Sequence, residues 1–167
     1  LHTRVAAAFR DGRALTTIVT ESKSGRQAWT APVFVDTTGD GDLGALAGCE
    51  FEIGRRDSCP CQPMTMYALV VVKDATILAD CLHGTGDDGR HVGPQAFRDE
   101  LTRAGVTPSY GHACLFPIRG NLALLMANHE YGIDATDAAQ VTAATLRARG
   151  EVHRIVRGLR KLGGRWE

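Results

Sequence analysis

The stretch Val33-Phe34-Val35-Asp36-Thr37-Thr38-Gly39-Asp40-Gly41-Asp42-Leu43-Gly44-Ala45-Leu46-Ala47-Gly48 decides how this chain is read. An apolar β-type run, Val33 to Val35, stops at a turn rich in glycine and carboxylate, and small helix-forming residues follow at once. A strand feeding a helix through such a turn is how α/β folds bring backbone N–H groups close to a phosphate or nucleotide. Gly39 and Gly41 allow positive φ with no Cβ in the way. Asp40 and Asp42 are short acceptors, suited either to ribose or ribityl hydroxyls or to capping the new helix. The same residues also suit a capped strand–helix turn that holds no ligand. Calcium fits less well, because the loop places Gly44 and Ala47 where the ninth and twelfth ligands of an EF-hand belong. A Walker-type loop needs a Gly-Lys-Ser/Thr ending that is absent here.

Outward from this motif, three β-type runs precede it. Thr3 to Phe9 leads into a turn at Asp11-Gly12, Ala14 to Glu21 into one at Ser24-Gly25, and Gln27 to Val35 into the motif itself. They predict a β-meander, with Pro32 bending the last strand or placing it at an edge. Downstream, Leu43 to Ala47 reads as a short helix, and residues 49 to 62 as loop with an Arg55-Arg56-Asp57 charge cluster. Met64 to Val72 is apolar nearly throughout and predicts a central strand. Ala75 to Cys81 is ambiguous, and His83 to Gly93 reads as an exposed loop. Gln95 to Ala104 predicts an amphipathic helix ended by Gly105. Ala113–Pro117 and Leu122–Asn128 form a hairpin around Arg119-Gly120-Asn121. Thr136 to Leu162 is a long helix with an apolar stripe at Val152, Ile155, Val156, Leu159 and Leu162. Thr136 or Asp137 caps it, and Gln140 can close a capping box on Asp137.

Composition bounds the function. The 167 residues are 44% hydrophobic and 23% charged, with a formal net charge of zero. Such a chain has no electrostatic footprint for nucleic acid or an anionic membrane surface. No apolar run is long enough to span a bilayer, and no signal peptide is visible, so a cytoplasmic location is expected. The cysteine count, five, is odd, and Cys59-Pro60-Cys61 lacks the spacing of a zinc knuckle. Reduced structural thiols and no metal site are expected. The chain opens on Leu1 inside a strand-like pattern and closes abruptly, which predicts a piece of a longer protein.

The residues also carry a resemblance. "AWTAPVFVDTTGDGDLGALAG" (28–48) resembles the segment "AKVFIDATGDGDLAALAG" of FAD-dependent oxidoreductases of the glutathione-reductase-like group, which includes the fumarate reductase flavoproteins. The preceding meander, "EFEIGR" (50–55), "CQPMTMYALV" (61–70) and "GIDATDAAQVTAATLRARGEVHRIVRGLRK" (132–161) are similar to family segments in the same order. The resemblance implies an α/β fold, part of a two-domain flavoprotein. Residues 1–55 would be the back part of the FAD-binding domain, 56–130 a mixed-sheet substrate domain, and 131–167 a long helix returning to the first. It implies FAD as cofactor in the full-length protein, with Thr38, Gly39, Asp40, Gly41 and Asp42 beside it, and a small-molecule substrate. The family's N-terminal GxGxxG region has no counterpart in this chain, so the fragment alone is expected to be inactive, colourless and prone to self-association into homo-oligomers. A non-catalytic ligand-binding or interaction module is the alternative. No catalytic residue is fixed; His129, Arg119 and Gln62 are the candidates, as acid/base, carboxylate clamp and flavin- or substrate-facing amide respectively. Each also has an ordinary reading as a strand-end, turn or loop residue.

Overall fold

A computed structural model describes residues 2–54, 61–85 and 91–167. The chain divides into two compact units, Leu1–Arg56 and Asp57–Glu167. Helix and sheet are mixed, and the helices are α1 (Asp42–Leu46), α2 (Pro94–Arg103) and α3 (Ala138–Leu162).

The first unit is the predicted meander, with β1 (Arg4–Asp11), β2 (Ala14–Ser22) and β3 (Gly25–Thr30) antiparallel in that order. The pairs Asp11↔Ala14 and Ser22↔Gly25 place the two-residue turns at Gly12-Arg13 and Lys23-Ser24. Each lies one residue away from the turn read in the sequence. The Ser22 hydroxyl accepts the Ser24 N–H (3.1 Å), and this local bond holds the second turn in its observed register. Across the sheet, the Trp29 indole donates to Thr20 Oγ1 (2.9 Å).

The third strand stops at Thr30 instead of continuing to Val35. Pro32 removes a ladder donor, and Val33 to Val35 runs on with no strand partner among the described residues. The first leg of the expected strand–turn–helix is therefore unpaired chain, with Val33 and Val35 exposed. Helix α1 forms as expected. Leu43 is its buried residue and Ala47, its C-cap, is buried too; it packs against β1, and a Schellman pair ends it: Gly48 N–H to Ala45 O and Cys49 N–H to Gly44 O, both 2.9 Å.

In the second unit, β4 (Tyr67–Val71), β7 (Cys114–Arg119) and β8 (Leu122–Met126) form an antiparallel sheet of order β4-β8-β7. The strand expected at the centre, β4, is thus at an edge, and β8 is central. The apolar run of β4 does not mean burial on both faces. Ala68 and Val70 pack on the core, whereas Tyr67, Leu69 and Val71 point outward and stay exposed. At the other margin Leu82 pairs in parallel with Leu115, and the His83 N–H donates to Leu115 O (2.6 Å). This bridge gives the sheet its one parallel neighbour among the described residues. The loop that follows contains a short ladder, β5 (Gly84–Thr85) with β6 (His91–Val92), rather than being wholly irregular. The Arg55-Arg56-Asp57 cluster and Cys59-Pro60 lie outside the described residues. Cys49, Cys61, Cys81 and Cys114 are free thiols.

The core face of the sheet is covered by α2 and α3. Phe97 and Leu101 of α2 and Ile155 and Leu159 of α3 meet Leu115, Ala123 and Leu125 in one cluster. The buried face of α3 lies in the core of the second unit. Asp137 caps α3, accepting from Ala139 N (2.8 Å) and Gln140 N (3.3 Å). The Gln140 side chain closes a variant of the expected capping box. It donates to Asp137 Oδ2 (3.1 Å) and accepts from Asp134 N (3.1 Å), not from the Asp137 N–H. Gly158 permits a tight crossing, since a Cβ there would lie 2.5 Å from Val106 Cγ2. The chain end is clamped by Glu100, which accepts from Arg165 (2.8 Å) and from the Trp166 indole (2.7 Å) while Arg165 also holds Asp80 (2.7 Å).

Candidate functional site

In the first unit the acidic turn is built by side chains that are consumed within it. Asp36 Oδ1 accepts the Thr38 N–H (3.0 Å) and hydroxyl (2.7 Å), and Asp36 Oδ2 accepts the Gly44 N–H (2.9 Å). Thr38 Oγ1 in turn accepts the Asp42 N–H (2.8 Å). These donors hold the Asp36 carboxyl below the usual carboxylate range, the Thr38 backbone N–H contributing most. Thr38 is thus a brace whose hydroxyl is committed in both directions. Gly39 and Gly41 adopt φ of +95° and +76°, with no heavy atom within 4 Å of the place a Cβ would take. Gly41, not Asp42, is the N-cap of α1. The Asp40 and Asp42 side chains have no hydrogen-bond partner among the described residues and face solvent. The turn therefore spends two polar residues on its own shape and presents two carboxylates and a bare glycine backbone outward.

The second unit gathers rings at the end of β8. Tyr110 stacks on His129 (centroids 4.0 Å apart, planes at 28°), and His129 meets Tyr131 edge-on with Nδ1 3.2 Å from the Tyr131 hydroxyl. Tyr110 also contacts His112 (5.8 Å), and His83 lies over Phe116 (4.6 Å). An open cavity of about 420 Å³ adjoins Tyr110, His112, His83 and Phe116, with Arg98 of α2 on its wall and Cys114 and Met126 beneath. Burial lowers the His129 pKa below its ordinary value, favouring neutral imidazole at neutral pH.

Beneath the rings lies a buried polar network. Glu151 of α3 (6% exposed) accepts Ser109 N–H (2.6 Å), Ser109 Oγ–H (2.7 Å) and Asn128 Nδ2 (2.7 Å). Asn128, 0% exposed, accepts the Met66 N–H and also donates to Glu130, which pairs with Arg147 (2.9 Å). Ser109 Oγ accepts the His129 N–H (2.8 Å), and the Tyr110 N–H donates to Ala127 O (3.3 Å). The network therefore fixes both stacked residues through their backbones.

Of the residues singled out in the sequence, His129 is in this cluster. Gln62 is exposed, without a hydrogen bond among the described residues, two positions before Met64, whose backbone pairs with Glu130 at the His129 end of the sheet. Arg119 sits exposed as the last residue of β7, paired with Leu122 at the turn end of that hairpin. The structure does not bring Arg119 to the rings. Tyr110, Asn128 and Glu151 were not anticipated. One signal was available: Ala144, Ala148, Glu151 and Ile155 share a helical face, and a carboxylate in that buried line demands partners.

The family model for FAD dependent oxidoreductases matches residues 1–167, the whole chain. The protein belongs to that family. No curated protein and no solved structure matches the chain.

Proposed function

We propose that this chain is part of a flavin-dependent oxidoreductase that passes electrons between a small-molecule substrate and FAD. The turn at 36–44 contributes to the cofactor's wall, and the ring-lined cavity of the second unit receives the substrate. The carrying observation is the brace of Asp36 and Thr38. It holds Gly39 and Gly41 open and leaves Asp40 and Asp42 without internal partners, an arrangement suited to ribose or ribityl hydroxyls and backbone contact. Those residues fit the group: Asp40 and Asp42 as acceptors, Gly39 and Gly41 as close-approach backbone, Thr38 as their support. Bound FAD supplies reversible two-electron redox chemistry that no side chain here offers. His129 does not line that cavity but stacks on its Tyr110, and its neutral imidazole is suited to hold a proton behind that ring.

Asp42→Ala tests the cofactor contact. Asp42 makes no capping bond, so its loss removes only the favourable charge in the first helical turn, ~0.3–1 kcal/mol of stability. A buried hydroxyl left unpaired costs ~1–3 kcal/mol, which lowers FAD affinity roughly tenfold or more. Titrating the folded apo-variant of the full-length protein with FAD, followed by flavin fluorescence, reads this directly. Unaltered affinity would sink the cofactor role of Asp42.

A further inference from the structure

The cavity beside α2 has a lining whose chemistry is uneven. Its polar members among the described residues are Arg98, His83, His112 and the Tyr110 and Gln95 side chains, and no carboxylate is among the described lining residues. Arg98 donates to Gln95 Oε1 (2.7 Å) and has no ion pair with any described residue. The carboxylate next to it in sequence, Asp99, is engaged by Gln95 Nε2 (2.8 Å). A half-buried guanidinium without an acidic partner is unusual, because its remaining donors need acceptors once water is displaced. The rest of the described lining is apolar: Phe116, whose ring lies 4.6 Å from that of His83 and tilted by 36°, with Cys114 and Met126. Burial raises the Cys114 thiol, and its S–H donates to His112 O (2.9 Å), so it presents a neutral surface.

We propose that this cavity is a carboxylate-binding site for an aromatic organic acid. The acid's carboxylate takes the Arg98 N–H groups that Gln95 does not use, and its ring packs against the apolar lining of Phe116 and Met126 beside Tyr110. A guanidinium matches a carboxylate through two parallel N–H···O bonds. The first turn of α2, opening at Pro94 on the same wall, adds a favourable dipole to that charge. The volume, about 420 Å³, lies within the range of small-molecule sites. This inference names the substrate class for the oxidoreductase reading and rests on it for its biological meaning, but not for its test.

The test is binding, without turnover. The full-length protein is titrated by calorimetry with benzoate, with benzyl alcohol and with inorganic phosphate. Benzoate is expected to bind saturably and at least tenfold more tightly than either, since benzyl alcohol lacks the charge and phosphate lacks the ring. Arg98→Gln is expected to weaken benzoate about tenfold or more while leaving benzyl alcohol unchanged, and Arg98→Lys to recover part of the loss. Phe116→Ala is expected to weaken benzoate and benzyl alcohol together but not phosphate. Thermal unfolding confirms that each variant is folded, and His83→Gln serves as a second probe of the same wall. Benzoate affinity indifferent to Arg98 would overturn the proposal, as would equal binding of phosphate and benzoate. Arg98-dependent benzoate binding in a protein whose Asp42→Ala variant keeps full FAD affinity would instead retain this site and count against the cofactor contact.

Discussion

His129 is held on three sides, by the ring of Tyr110, the hydroxyl of Tyr131 and the Ser109 oxygen on its backbone N–H. None of these supplies a negative charge, and burial lowers its pKa below 6.5. The unfolded chain therefore takes up a proton at this position before the folded one does. Above pH 6.5 both forms are neutral and His129 adds nothing to the pH dependence. As the pH falls through 6.5 toward the lowered folded value, the unfolded state gains a proton first and stability declines; below the folded value the decline stops. His129→Gln is expected to flatten this part of the stability profile, read as urea midpoints measured across that window. Equal slopes in wild type and variant would show that another group carries the effect. The role of His129 as a candidate was readable from its residue type and its place after an apolar run. Its stacking partner was not, because Tyr110 lies in a loop and is delivered by the backbone bonds of Ser109 and Ala127, which leave no periodic trace.

Elements with local chemistry were the readable ones. The Asp137 cap, the Gly105 stop of α2 and the β7–β8 hairpin each follow from a few neighbouring residues. The position of β4 did not, since an apolar run gives the strand but not its rank in the sheet. Only the register Leu69↔Leu124 and Val70↔Ala123 reveals that alternate residues face outward. The apolar stripe of α3 leaves out a buried member of the same face, Glu151. That carboxylate joins α3 to the loop before β7 and to the end of β8. Glu151→Ala would leave the Ser109 N–H without its acceptor and Asn128 Nδ2 with only Glu130 and the Ser109 oxygen, and is expected to cost about 2 kcal/mol of the second unit's stability. Glu151→Gln keeps one acceptor oxygen and should cost less. Denaturant unfolding gives the magnitudes. A loosened network should also broaden the ring signals of His129 and Tyr110 in NMR spectra, and sharp, unshifted signals in Glu151→Ala would mean that the network does not position them.

For the molecule as a whole, the two units differ in how well they cover apolar surface. The second has a continuous core, whereas Phe9, Trp29, Val33, Val35, Phe51 and Ile53 of the first remain exposed. The outer face of the second unit's sheet is exposed too, with Leu69 at 67% and Val71 at 80%. Strand β4 adds a second liability, because it is an edge strand with no strand paired along its outer side among the described residues. An edge that is both unpaired and apolar favours pairing with another copy of itself. The 167-residue chain is therefore expected to show an apparent mass that rises with concentration in size-exclusion chromatography with light scattering. Val71→Lys places a charge on that outward face, a device natural edges use against pairing. Since Val71 is mostly exposed and outside the core cluster, the change should alter stability by no more than ~0.5 kcal/mol. It should shift the mass toward the monomer at a given concentration. Association that persists unchanged in Val71→Lys would move its origin from this edge to the exposed residues of the first unit, where Val35→Lys is the corresponding substitution.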